Sequence, residues 1–362
     1  MDTSIKYRQP WLQSASFDGL YILLPGLLAL IITFLLPEQY KSTDEIPLAG
    51  WIILILFIDV AHVYSTLFRT YWDHERFSQH RTLYITIPFV CYIVGVLLYA
   101  INGMLFWRIL AYLAVFHFIR QQYGFMRLYS RFERKRTFRS RLDMLTIYAA
   151  TIYPLIYWHC TPGRNFSWFV TGDFLISEAI LFRTICGYIY LVIVLTYLVT
   201  EIIALLQTGK FNLPKNLVIT GTIATWYFGI VYFNGDMAFT LLNVVAHGIP
   251  YMALIWLFNK KERKPDNNTT EQSFINKYKY NIIFFLLSIF VFAYIEEGLW
   301  DGMIWREHKG IFGFFSGLPS INSKEVLALL VPLLSLPQST HYVLDGFIWR
   351  KKQDVHGTQI AV

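Results

Sequence analysis

Ten stretches of this sequence are long and apolar enough to cross a lipid bilayer, at residues 18–36, 49–69, 83–101, 103–127, 143–160, 178–206, 215–233, 237–258, 279–299 and 324–349. A span takes about 20 apolar residues, because a helix rises about 1.5 Å per residue through a hydrocarbon core about 30 Å thick. Lipid offers backbone N–H and C=O groups no partner, so such segments must satisfy themselves as helices. The sequence therefore predicts an all-α fold, a polytopic integral membrane helical bundle of about ten transmembrane helices. Turn residues at Asn102-Gly103 and Asn234-Gly235 separate the two most closely spaced pairs of runs. Composition excludes the alternative of a soluble globule: 15% of residues are charged and 55% hydrophobic, against about a quarter charged in a water-facing domain.

The basic residues set the expected orientation. Arg127, Arg131, Arg134, Lys135, Arg136, Arg139 and Arg141 cluster after the fourth run. Lys260, Lys261, Arg263 and Lys264 follow the eighth, and Arg350, Lys351 and Lys352 the tenth. These clusters share one side if the count of ten holds, and the positive-inside rule makes that side cytoplasmic, with both termini there. The connections at 37–48 and 161–177 carry few cations. Residues 1–362 thus read as a single membrane domain, with basic or polar cytoplasmic loops at 128–142 and 259–278. The stretch before Asp18 has no long apolar core and no cleavage site, so no cleaved signal peptide is expected. Cys91, Cys160 and Cys186 are too widely spaced for a thiolate metal motif or a disulfide framework. The net charge of +7 is accounted for by topology, and no nucleic-acid partner is expected; membrane lipids are the surroundings implied.

Chemistry concentrates in four histidines. His74, His80, His308 and His356 fall in loops or the tail, and His159 at a span edge, but His62, His117, His247 and His341 lie inside the second, fourth, eighth and tenth runs. All four of those helices run in the same direction, and each histidine comes after the midpoint of its helix. The four imidazoles therefore sit at comparable depth and can converge. Ionisable groups within a span are costly and face the interior, paired or functional. Several neutral imidazoles can hold iron, copper or zinc where water is scarce. The competing reading makes each histidine a hydrogen-bonded packing residue.

Polar neighbours extend the pattern. Asp59 lies three residues before His62, and Asp345 four after His341, so each carboxylate is placed to accept the second N–H of its imidazole. Arg120 and Gln121 follow His117 by three and four, while Asn243 and Tyr251 flank His247 by four on either side. Tyr251 and Arg120 are candidates for catalytic or substrate-orienting roles, with Arg120 equally placed to snorkel to the interface. Asp59, Asp345, Gln121 and Asn243 are candidates for outer partners of the imidazoles. Glu296-Glu297 is expected at the outer interface beside Trp300 and Trp305. The HxxxH and HxxHH boxes of di-iron desaturases are absent; the only close pair, His74 and His80, has the wrong spacing. Phosphate-loop, nucleophile-elbow and dinucleotide fingerprints are absent as well.

Short patches resemble the bacterial Brp/Blh membrane proteins, similar to β-carotene 15,15′-dioxygenases. The stretch FHFIRQQYGF resembles that family's His-x-x-Arg-x-x-aromatic pattern through His117, Arg120 and Tyr123. LPQSTHYVLDGFIWRK looks like its final His…Asp…Arg segment through His341, Asp345 and Arg350. His62 matches more weakly, since Ala61 and Val63 stand where the family carries Pro-His-Gly. The resemblance implies a bacterial inner membrane, a non-haem iron held by histidines, O2 as co-substrate and a carotenoid, polyprenoid or acyl lipid drawn from the bilayer. Two other readings stay open: a haem-binding redox protein using the same histidines as axial ligands, and a proton-coupled transporter relaying through Asp59 or Asp345.

Overall fold

The computed structural model describes residues 8–261 and 281–349. Most of the expected polar loop at 259–278, the cluster Arg350, Lys351 and Lys352, and His356 lie outside the described residues.

Among the described residues every regular element is helical. In chain order the longer ones are α1 (Ala15–Leu35), α2 (Leu48–Arg69), α3 (Arg81–Ile101), α4 (Gly103–Tyr129), α5 (Phe138–His159), α6 (Ile180–Thr208), α7 (Leu213–Trp226), α8 (Asp236–Lys260), α9 (Ile282–Trp305), α10 (Lys324–Leu334) and α11 (Leu336–Ile348). Each expected run coincides with one of these, α10 and α11 dividing the last, but seven helices, α1–α4, α6, α8 and α9, are long and apolar enough to cross a membrane. The count rises to eight if α10 and α11, which meet at a 45° bend, form one span. The other two expected runs, 143–160 and 215–233, form α5 and α7, which are not among these. Arg139, Arg141 and Asp143 stand in the first turns of α5, and the α-helical part of α7 is 14 residues long before it widens into a π-helix at Tyr227–Tyr232.

Those polar turns are tied together. Lys215, fully buried at the start of α7, lies 3.1 Å from Asp143 on α5 and 3.2 Å from Glu201 on α6. The Arg139 guanidinium donates twice to Glu201, at 2.5 and 2.7 Å. Removing one partner of such a buried set leaves an uncompensated charge, at a cost of about 3–5 kcal/mol.

The connections sort to two ends as their charges suggest. At one end Asn165 bonds to Ser42 and Asn234, and Asn234 to Gly163, joining three cation-poor connections. At the other, Arg131 donates to the carbonyls of Pro10 and Trp11, joining the first described residues to the basic loop after α4.

α8 is the most buried span and packs against α1, α2 and α7. α2 also meets α11, and α11 meets α4, so four helices surround one axis. Close approach of α8 to α2 depends on Gly248: a Cβ there would sit 2.7 Å from the Ile58 side chain. Pro250 lies inside α8 without breaking it. It leaves the Ala246 carbonyl without its helical N–H, and the Gln122 side chain donates to that carbonyl at 3.4 Å. Pro337 does mark a break, standing in the first turn of α11 after the bend. α3 and α6 bury least, presenting rows of Ile, Leu and Val outward as lipid contact requires.

Candidate metal centre

Two local departures from α geometry aim the histidines. α2 is π-helical over Ile52–Val60 and returns to α-helix at Ala61–Ser65, carrying His62. The bend between α10 and α11 falls one and a half turns before His341. His117 and His247 stand in uninterrupted helix on α4 and α8.

The four side chains meet. His247 Nε2 lies 3.1 Å from His62 Nε2 and 3.2 Å from His117 Nε2, and His117 Nε2 lies 3.1 Å from His341 Nε2. One ring nitrogen from each of the four falls within 4.8 Å of every other. No histidine of the set is more than 2% exposed. The matched depth read from the sequence therefore corresponds to a single point in space.

The outer nitrogens fix which form each ring takes. His62 Nδ1 faces the Ile58 carbonyl at 3.2 Å and His117 Nδ1 the Asp345 carboxylate at 3.3 Å. Both partners accept only, so both Nδ1 atoms carry the proton and both Nε2 atoms present a lone pair. A chain of hydrogen bonds settles His341. Tyr251 donates its hydroxyl to Asp345 at 2.8 Å, so its oxygen receives the Thr66 hydroxyl at 3.2 Å, and Thr66 receives His341 Nδ1–H at 2.7 Å. Asp345 also accepts from Trp349 Nε1 at 2.5 Å. His247 Nδ1 has no hydrogen-bond partner; its ring is held by stacking on Phe118, with centroids 3.5 Å apart and planes 7° from parallel. Its backbone carbonyl accepts from Gln121 at 2.9 Å.

The Nε2 lone pairs of His117 and His341 thus face each other across 3.1 Å, an arrangement that repels unless a cation lies between them. Metal–imidazole bonds of about 2.0–2.1 Å place neighbouring ligand nitrogens roughly 3 Å or slightly more apart, which matches the separations here. The four-histidine cluster can hold a metal ion. A haem cannot occupy the same point, since the pyrrole nitrogens would need the positions two of the imidazoles take.

Several expected neighbours are placed differently. Asp59 is 3.8 Å from His62 Nδ1, and the backbone carbonyl of Ile58 is closer. The i, i+3 rule that paired them assumes 3.6 residues per turn, and Asp59 lies in the π-helical stretch where that rule fails. Asp345 serves His117 on α4 rather than His341 on its own helix. Arg120 is not brought to the centre: it is exposed, donates to Tyr148 at 2.8 Å and lies over the Tyr123 ring. Asn243 donates to Phe239 and faces a cavity beside the cluster rather than His247. Glu296 is buried, not interfacial, and receives the hydroxyl of Tyr64 and the amide of Gln338. Gln121 and Tyr251 do lie against the cluster. His74, His80 and His308 take no part in it, and His159 is paired with Tyr112.

Two outer partners, Thr66 and Trp349, were not anticipated. Thr66 had a signal, a polar residue four after His62 in an apolar helix; Trp349, read only as the end of a span, had none.

Fold and site together define a multi-pass helical membrane protein with a buried four-histidine cluster able to hold a metal ion. No family model matches the chain, and comparisons with curated proteins and with solved structures return no match.

Proposed function

We propose that the protein is a membrane-embedded, metal-dependent oxygenase in which His62, His117, His247 and His341 hold one non-haem iron. The observation that carries this reading is the convergence of four Nε2 atoms, with the outer nitrogens of His62, His117 and His341 each facing an oxygen. An all-imidazole set suits iron, copper, nickel or zinc; iron is the first choice because the resemblance to the Brp/Blh proteins points to it. When bound, the iron would supply O2 activation. The chain's own contribution is to keep the imidazoles neutral and oriented, through Asp345, Thr66, Tyr251 and the Ile58 carbonyl, and to exclude bulk water by burying all four. A lipophilic substrate fits a site within an apolar bundle; the resemblance implies carotenoids, polyprenoids or acyl lipids, and the polar lining of the adjoining cavity narrows that choice to a molecule with a polar head. A proton-coupled transporter is the second reading, favoured by the break between α10 and α11 beside His341.

Elemental analysis and an optical spectrum of detergent-purified protein test the proposal, wild type beside His247→Ala. Near-stoichiometric iron without a Soret band, lost in a folded His247→Ala protein, is the expected outcome. Wild-type protein prepared without chelators and free of any transition metal would overturn the metal reading. Retention of full metal content by the variant would remove His247 from the ligand set.

A further inference from the structure

A cavity of about 410 Å³ is walled in part by residues that flank the four histidines in sequence, although none of the four imidazoles lines it. Its inner wall includes Val63, Phe118, Val244 and Tyr342, each within three residues of a different histidine of the set. Phe118 belongs to both places, lining the cavity with one part of its ring environment and stacking on His247. The volume falls within the usual range for small-molecule sites, about 300–1,000 Å³.

The walls have a consistent polarity. Five carboxylates line the cavity, Asp59, Asp236, Glu297, Asp301 and Glu307, and no lysine or arginine among the described residues does. Asp236 and Asp301 are engaged locally, by Thr240 and by the amides of Glu307 and His308. Glu297 has neither a hydrogen bond nor an ion pair within the described residues. Asn243, 3% exposed, gives its amide to the Phe239 carbonyl and leaves Oδ1 without a partner. Gln338 gives its amide to Glu296 and likewise leaves Oε1 unpartnered. Both orientations are fixed by what the amide nitrogens bind, so the two fully buried side-chain atoms left without a partner on this wall, Asn243 Oδ1 and Gln338 Oε1, are both acceptors. The remaining surface is aromatic: Trp107, Trp300 and Trp305 form one wall, with Trp107 and Trp305 respectively 5.9 and 5.7 Å from Trp300, and Trp51 and Trp168 lie elsewhere on the lining.

A pure hydrocarbon would cover these acceptors without pairing them, and an anionic head group would meet carboxylates with no cation to offset them. A protonated primary amine matches each feature: it donates, it carries positive charge, and indole faces attract cations. We propose that this cavity is the substrate pocket of the four-histidine centre and that it selects a lipophilic primary amine, bound with its ammonium group among Glu297, Asn243 and Gln338. The substrate assignment rests on the metal-centre reading above, whereas the ligand class rests on the cavity alone.

The test titrates detergent-purified full-length protein with phenethylamine, phenethyl alcohol and phenylacetate, followed by tryptophan fluorescence, with metal content measured on the same preparation. Phenethylamine is expected to bind at least about ten times more tightly than the alcohol, because only the amine gains charge-assisted hydrogen bonds and cation–π contact, and phenylacetate is expected not to bind. Glu297→Gln should lower amine affinity by about tenfold while leaving alcohol affinity and metal content unchanged. Equal affinity for amine and alcohol in the wild type overturns the pocket assignment whether or not any variant folds. So does unchanged amine affinity in folded Glu297→Gln protein. Stoichiometric metal with no amine binding sinks this inference and leaves the metal centre standing; amine selectivity in metal-free protein does the reverse.

Discussion

Asp345 gives the sharpest way to weigh the scaffold around the histidines. Its carboxylate lies 3.3 Å from His117 Nδ1 and accepts from Tyr251 at 2.8 Å and Trp349 at 2.5 Å, and so joins α4, α8 and α11. In Asp345→Asn the remaining carbonyl oxygen can still accept from Tyr251 and Trp349, which share one carboxylate oxygen. The other oxygen becomes an NH2 group facing His117 Nδ1–H, donor against donor. His117 then loses the acceptor that fixes its protonation form, and the centre loses a nearby negative charge. Outer partners of metal-bound imidazoles are typically worth 10–100-fold in metal affinity, or about 1.4–2.8 kcal/mol, and the loss here should fall in that range. Metal release to a competing chelator, measured for wild type and variant at one pH, reads the difference directly. Indistinguishable affinities would refute the argument that Asp345 orients His117. Complete absence of metal from a folded variant would refute it too, by making Asp345 a ligand.

The other expected outcomes follow the same geometry. Thr66→Val keeps the shape but breaks the chain from His341 to Tyr251, and should weaken metal retention about tenfold in the same chelator assay; no change would mean His341 is oriented by packing alone. Gly248→Ala forces a methyl against Ile58 where α8 meets α2, so thermal stability in detergent should fall by about 1–3 kcal/mol with looser metal binding; a neutral result would show that the two helices can separate freely. Lys215→Met strands Asp143 and leaves Glu201 to Arg139, and should destabilise the bundle by about 3–5 kcal/mol without altering metal stoichiometry, measured on surviving folded protein; an unchanged melting temperature would count against the ion network as a clamp.

Sequence by itself determined the apolar surroundings, the helices and the four histidines. Apolar runs of spanning length have few alternatives in lipid, and histidines at equal depth in parallel helices have a visible reason to meet. The positions of ten runs were legible because the apolar pattern is local, although α5 and α7 proved too polar or too short to count as spans on composition. Tertiary structure decided which outer group serves which imidazole. Asp345 reaches across to His117, Thr66 reaches His341, and Asp59 is turned aside by the π-helical stretch of α2. None of these could be read from spacing, because spacing describes one helix with a fixed period and these contacts join different helices or follow a broken period. The acceptor-lined cavity is likewise invisible along the chain, since Asp59, Asn243, Glu297 and Gln338 come from four helices that only packing brings around one space.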